Sequence, residues 1–280
     1  MIISVASGKG GTGKTLVATS MALSIANEGV QLLDCDVEEP NAHLLLNPDF
    51  ESSEPVEIAV PQVDESKCTY CGKCSDVCVY HAIAVLKNKV LLFPESCHGC
   101  GACSYLCPEK AITEVGRQIG VVESGYAEGL DFVQGRLNVG EAMVPPVIRK
   151  VKEKLNGNSI AIIDVPPGTS CPVVESVKGS DYCILVTEPT PFGLYDLELA
   201  VKVVKQIGIP CGVTINRAGM GDKMVEQYCA NNNIPILMKI LLNTDIAKLY
   251  SKGIPLVEGM PEYRQVFRHV FDDIKKTVTG

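Results

Sequence analysis

Thirteen cysteines occur in this chain, and eight of them fall in two matching runs. The first run is Cys68, Cys71, Cys74 and Cys78, and the second is Cys97, Cys100, Cys103 and Cys107 with Pro108 behind it. The runs start 29 residues apart and repeat the same gaps of two, two and three residues. Cysteines at i, i+3 and i+6 can wrap one face of an iron–sulfide cube, and the fourth thiolate must come from elsewhere in the chain. Paired CxxC spacings also bind zinc, but zinc sites rarely use a three-cysteine run with two-residue gaps, repeated. Disulfides fit less well, because no signal peptide opens the chain and a reduced cytoplasm disfavours them. The spacing therefore points to two [4Fe–4S] clusters in a cytoplasmic protein.

The runs resemble those of two-cluster ferredoxins, in which the last cysteine of each run crosses to the other cluster. By that resemblance Cys68, Cys71, Cys74 and Cys107 hold one cluster, and Cys97, Cys100, Cys103 and Cys78 hold the other. Tyr80-His81-Ala82-Ile83 echoes Glu109-Lys110-Ala111-Ile112, which suggests two pseudo-symmetric halves of a ferredoxin-like α+β unit. Val79 stands where the second run has Pro108, and this departure removes no ligand. His81 and His98 are read as neighbours of the clusters, since eight thiolates already satisfy two cubes.

The chain opens with an apolar run, Ile2 to Ala6, that reads as a buried strand. Ser7, Gly8, Lys9, Gly10, Gly11, Thr12, Gly13, Lys14 and Thr15 follow, and then a helical pattern. Strand, glycine loop and helix form the context a phosphate-binding loop needs. Backbone N–H groups and the helix N-terminus would face the phosphates, Lys14 would neutralise them, and Thr15 would ligate Mg²⁺. Two further apolar runs end in carboxylates. One ends in Asp34-Cys35-Asp36; the other runs from Ser159 to Asp164 and continues Val165-Pro166-Pro167-Gly168.

Lys9 makes the loop resemble the deviant Walker A motif of the MinD/ParA/Mrp class of P-loop ATPases. That class includes the nitrogenase iron protein. The resemblance implies several roles. Lys9 reaches across a dimer to the partner's nucleotide, and Asp36 positions the attacking water. Asp34 lies near the Mg²⁺ shell, and Asp164 holds the Mg²⁺. Asn216, with Arg217 beside it, reads the adenine edge, and Gly168 senses the γ-phosphate. Catalysis would then rest on Lys9, Lys14, Asp36 and Asp164, with Mg²⁺ held by Thr15, Asp34 and Asp164. Leu241-Leu242 replaces the proline-containing turn expected beside the adenine.

Alternating strands and helices imply an α/β fold with a mostly parallel sheet, interrupted by the ferredoxin-like insert. The expected division is ATPase over 1–57, insert over 58–118 and ATPase over 119–280, with Pro61 and Gly116 marking the borders. A Glu123-Ser124-Gly125 segment follows and resembles a loop of the iron protein. The net charge of −8, with no basic stripe, argues against nucleic acid. No apolar run approaches the ~20 residues of a membrane span. Residues 262–277 place Tyr263, Val266, Phe267, Val270, Phe271 and Ile274 at helical spacing and are barely basic, so they read as a docked helix.

Three functions follow in order. The first is an ATP-gated electron carrier, the second an iron–sulfur or metal-cofactor assembly factor, and the third a MinD-like positioning protein. Each would work as a homodimer, or a heterodimer with a related ATPase, and the first two would serve a redox or metal-cluster protein. No cysteine lies between Cys107 and Cys171, so a cluster bridging two subunits through two cysteines from each is not supported. Cys35, Cys183, Cys211 and Cys229 are isolated and read as core thiols.

Overall fold

A computed structural model of the chain describes residues 1–157, 160–219 and 223–279. Ser159, the expected start of the run into Asp164, lies outside the described residues. The strands are β1 (Ile2–Ala6), β2 (Val30–Asp34), β3 (Asp49–Val63), β4 (Ile83–Leu86), β5 (Lys89–Leu92), β6 (Ile112–Ala127), β7 (Leu130–Leu137), β8 (Ile160–Asp164), β9 (Tyr182–Thr187), β10 (Cys211–Ala218) and β11 (Ile236–Leu241). Two compact units result. One comprises Met1–Ser53, Val122–Arg136 and Ile148–Gly280; the other comprises Glu54–Val121 and Leu137–Val147.

The larger sheet runs β11-β10-β9-β1-β8-β2-β7-β6-β3. From β11 to β7 every pairing is parallel. The central strands are buried almost end to end, as their unbroken apolar runs require when helices cover both faces. Register aligns Asp34 with Asp164 and Val5 with Asp164, so the carboxylates of β2 and β8 finish beside the loop that leaves β1. A ligand site belongs at this carboxyl edge, where the chain order switches.

The last two strands of the sheet depart from the parallel pattern. Glu128 and Gly129 take φ of 49° and 81°, the left-handed pair of a tight hairpin, so the chain reverses between β6 and β7. The border expected at residue 58 falls inside β3. Pro61 does not break that strand because β3 is the sheet's outermost, where a missing N–H costs no ladder bond. The Glu123-Ser124-Gly125 segment is likewise strand, within β6. A Cβ at Gly125 would lie 2.0 Å from the Asp49 carbonyl oxygen, so glycine there lets two strands touch.

The helix Glu262–Thr279 buries Phe267, Val270, Phe271 and Ile274 in the core around the helix Lys14–Ser24, while Val266 stays 40% exposed. Each fully buried phenylalanine contributes about 2–3 kcal/mol of transfer free energy. Arg264 donates to the Leu23 carbonyl at 2.7 Å and covers one of the last helix carbonyls. Among the described residues, no helix is long and apolar enough to cross a membrane.

In the smaller unit, β4 and β5 form an antiparallel pair beside the short helices Lys73–Val77 and Ala102–Tyr105. Ile83, Val90 and Ile112 form its core, with Cys68, Cys74, Cys78, Cys103 and Cys107 packed on it. The backbone repeats at the cysteine offset. Positive φ recurs at Tyr70 and Gly99 (56° and 64°), at Gly72 and Gly101 (83° and 72°), and at His81 and Lys110 (52° and 49°). The local turns are therefore written twice in the chain.

Candidate functional site

The loop from β1 to the helix Lys14–Ser24 is held by close contacts. A Cβ on Gly8 would sit 2.2 Å from the Asp196 carbonyl oxygen, and one on Gly13, at φ 95°, would sit 2.4 Å from Asn216 Nδ2. Glycine alone fits both places. Lys14 is buried at the helix start. The Thr15 hydroxyl donates to Asp164 Oδ2 at 2.6 Å, and Asp164 Oδ1 is buried with no partner among the described residues. Burial, opposed by Lys14 and the Thr15 hydroxyl, holds Asp164 above the usual carboxylate range. A buried carboxylate with an open oxygen beside a hydroxyl fits a hard divalent cation.

Asp34 stands beside Asp164 in the register of β2 and β8, and its oxygens are held by backbone. Its Oδ1 accepts from Asp36 N at 3.0 Å, and its Oδ2 accepts from Asn41 N and Ala42 N at 3.1 and 3.0 Å. Its oxygens therefore organise the loop after β2. Burial, and then the Asp164 charge, push its carboxyl well above the ordinary value. Asp36 is half-buried, and desolvation raises it to about 7 although Lys14 pulls the other way.

Lys9 closes on the Glu188 carboxylate of its own chain. Arg217 Nη1 donates to the other Glu188 oxygen at 2.8 Å, and Arg217 Nη2 donates to the Gly11 carbonyl at 3.2 Å. Burial alone would raise Glu188, but the two cations hold it below the usual carboxylate range. Asn216 is turned toward the loop: its Nδ2 donates to the Thr12 carbonyl at 2.8 Å, and its Oδ1 accepts from Arg217 N at 2.9 Å. A hollow of about 340 Å³ opens beside them, lined by Arg217, Leu241, Leu242, Ile246 and Tyr250. Glu188, Ile246 and Tyr250 had no motif to announce them. Only Glu188, at the end of the β9 run, carried a positional hint.

The cysteines divide between two hollows. One is lined by Cys68, Cys71, Cys74 and Cys107, and the other by Cys78, Cys97, Cys100 and Cys103. The last cysteine of each run therefore sits with the other run. Tyr70 N and Ala111 N donate to Cys68 and Cys107 sulfurs at 3.4 and 3.3 Å; Gly99 N and Ala82 N donate to Cys97 and Cys78 at 3.4 and 3.2 Å. His98 stacks on Tyr80 at 3.6 Å between ring centres, beside the second hollow. Among the described residues, no three Cys, His, Asp or Glu side chains gather tightly enough to hold a single metal ion. A cube takes four thiolates, and four cysteines line each hollow. Cys35, Cys183 and Cys229 are buried, Cys211 is half-buried and Cys171 is exposed.

This chain matches the CobQ/CobB/MinD/ParA nucleotide binding domain over residues 3–256. It is 30% identical to the uncharacterized protein MJ0578 of Methanocaldococcus jannaschii over 99% of this chain and 98% of that one. It is 26% identical to an iron-sulfur cluster carrier protein of Pyrococcus horikoshii over 91% of this chain and 78% of that one. The septum site-determining protein MinD of Pyrococcus horikoshii, solved with Mg-ADP, shares its fold, with a TM-score of 0.60 at 21% identity over 99% of this chain and 97% of that chain. A parallel sheet, a phosphate loop at its carboxyl edge and a match over most of its length make this chain a member of the CobQ/CobB/MinD/ParA nucleotide-binding family.

Proposed function

We propose that this protein is an ATP-dependent iron–sulfur cluster carrier or assembly ATPase. The observation that carries the reading is the crossed sorting of eight cysteines into two hollows on a nucleotide-binding chain. Similarity to an iron-sulfur cluster carrier protein supports it over the electron carrier that sequence alone put first. The smaller unit is a ferredoxin-like insert for two [4Fe–4S] clusters. When bound, such clusters accept single electrons or serve as transferable iron and sulfide. Cys68, Cys71, Cys74 and Cys107 would hold one; Cys78, Cys97, Cys100 and Cys103 would hold the other. Backbone N–H groups on four of these sulfurs stabilise thiolate charge.

At the nucleotide, Lys14 and the loop N–H groups bind the phosphates. Thr15 and Asp164 hold Mg²⁺, and Asp36 positions the water for hydrolysis. Its raised proton affinity suits a group that handles a proton near neutral pH. Arg217 and the apolar lining of the adjoining hollow take the base, with Asn216 holding the loop in shape. Two copies close around ATP, and Lys9 leaves Glu188 to reach the partner's phosphates.

One anaerobic experiment tests the reading. The protein is loaded with iron and sulfide, mixed with an apo form of a [4Fe–4S] protein, and followed with and without Mg-ATP. Iron that moves to the acceptor only with hydrolysable ATP supports the carrier. Electrons lost with iron retained would instead favour electron gating, since eight thiolates hold both cubes in place.

A further inference from the structure

The backbone treats the two cysteine sets alike, with two N–H groups on the sulfurs of each. The side chains do not. On β6, Arg117 Nη1 donates to Glu141 Oε2 at 2.5 Å. The Glu141 side chain is only 4% exposed, and its other oxygen accepts from Ala142 N and Met143 N at 3.1 and 3.3 Å. Glu141 is thus fixed by backbone and in turn fixes the guanidinium. Nε and Nη2 of Arg117 are buried and have no partner among the described residues. Buried N–H donors on a cation without an acceptor are costly, so such a group waits for one.

The strand geometry shows where this group lies. Asp64 N donates to the Ala111 carbonyl at 2.7 Å, and a Cβ on Gly116 would meet Glu57 Oε2 at 2.3 Å, so β3 and β6 run antiparallel here. Arg117, the next residue on β6, therefore lies alongside the Ile58 region of β3. The Cys97 loop packs on that same region: a Cβ on Gly99 would stand 3.1 Å from the Ala59 carbonyl oxygen and 3.6 Å from Ile58 Cβ. The Glu141 hydrogen bond chiefly raises Arg117's proton affinity, and Glu95 and Cys97 add to it through their charge. Glu95 is exposed and can be solvated. Twenty-nine residues earlier, Asn88 lies in the turn between β4 and β5, flanked by Lys87 and Lys89, so the Cys68 side has no strand residue that matches Arg117.

We propose that Arg117 is a positioning residue for the cysteine set on the Cys97 side, where its uncommitted N–H groups and positive charge serve the sulfur ligands and make the two clusters inequivalent. This rests on the cluster reading given above. Added positive charge and N–H donation favour the more negative, reduced form of a cluster, so the Cys97-side cluster is the first to take an electron.

The test uses the full chain, reconstituted anaerobically with iron and sulfide, in a redox titration followed by electron paramagnetic resonance. Arg117→Gln lowers one of the two couples so that its oxidised-to-reduced ratio rises about tenfold, or ~59 mV for one electron, and leaves the other in place. Arg117→Lys keeps the charge but loses the fork and shifts that couple less. Glu141→Gln leaves the guanidinium charge without its counter-ion and raises the same couple, a shift of opposite sign, which keeps the test available if Arg117→Gln does not fold. Loaded variants whose couples are unmoved, or whose couples move together, overturn the inference and leave the cluster reading standing. A wild-type chain that takes up no iron overturns the cluster reading, and this inference with it.

Discussion

Lys9 and Glu188, 179 residues apart in the chain, meet at the mouth of the phosphate loop, and the same carboxylate accepts Arg217 at 2.8 Å. The lysine that the family resemblance sends to a partner subunit is thus held at home in the single chain. In the proposed closure of two copies around ATP, leaving Glu188 is part of the work.

Glu188→Gln weakens that hold and should lower the protein concentration needed for an ATP-analogue-dependent dimer. A partly exposed ion pair contributes about 0.2–1 kcal/mol, so each pair should shift the threshold by about 1.4- to fivefold. Lys9→Ala should stay monomeric at micromolar protein. Light scattering with a non-hydrolysable analogue checks both. An unchanged dimer threshold in Glu188→Gln would show that the pair does not restrain Lys9.

Asp36 gives a pH prediction. Its folded-state pKa is raised from the ordinary carboxylate value to about 7, with burial the largest cause. The stabilising contribution is complete below about 4 and is lost as pH rises through about 7. Nucleotide-free Asp36→Asn should therefore be more stable than the parent at pH 8, by about 1–2 kcal/mol after allowance for solvent, and no more stable at pH 4.5. Urea unfolding at the two pH values measures the difference. A gain of equal size at both would mean that the carboxylate's charge is not the cause.

Substitutions at the phosphate loop should separate binding from hydrolysis. Lys14→Ala should weaken Mg-ATP by at least about a hundredfold, roughly 3 kcal/mol, by removing a buried cation from the phosphates. Asp164→Asn should lose the Mg²⁺ dependence of binding. Asp36→Ala should keep ATP and accumulate the closed dimer. Calorimetric titration and turnover assays decide, and normal hydrolysis by Asp36→Ala would remove it from its assigned role.

Crossed cysteine sets predict a pattern among double variants. Cys71→Ser with Cys107→Ser damages one hollow only and should leave about half the iron, one cube of two. Cys71→Ser with Cys78→Ser damages both hollows and should leave far less. Iron and sulfide analysis after anaerobic reconstitution reads this directly. Equal iron in the two double variants would point to cysteines that serve their own runs.

Much of this protein was legible before its structure. Local chemistry carries short-range information: the loop from Gly8 to Thr15 needs its glycines and lysine in order, and the cysteine gaps suit the proposed cubes. Buried strands showed as unbroken apolar runs, and the terminal helix showed as a stripe ending in Ile274. The borders of the inserted unit were less legible. Pro61 looked like a break because proline interrupts ladders, but β3 lies at the sheet edge, where it does not. Glu123-Ser124-Gly125 resembles a loop of the nitrogenase iron protein, yet it lies in β6, where Gly125 lets the strand touch Asp49.

The sequence by itself determined which residue types could bind phosphate and iron, because those requirements sit within a few positions of chain. Only the tertiary structure decided which of them are free to do so. Asp34 is taken up by the backbone of Asn41 and Ala42, Asn216 by Thr12, and Lys9 by Glu188, while Asp164 keeps an open oxygen and Arg117 two open N–H groups. Asp34 finds its partners seven and eight residues on, but Asn216 and Lys9 find theirs 204 and 179 residues away, and hydrogen-bond partners at that range are set by packing, which no local pattern encodes.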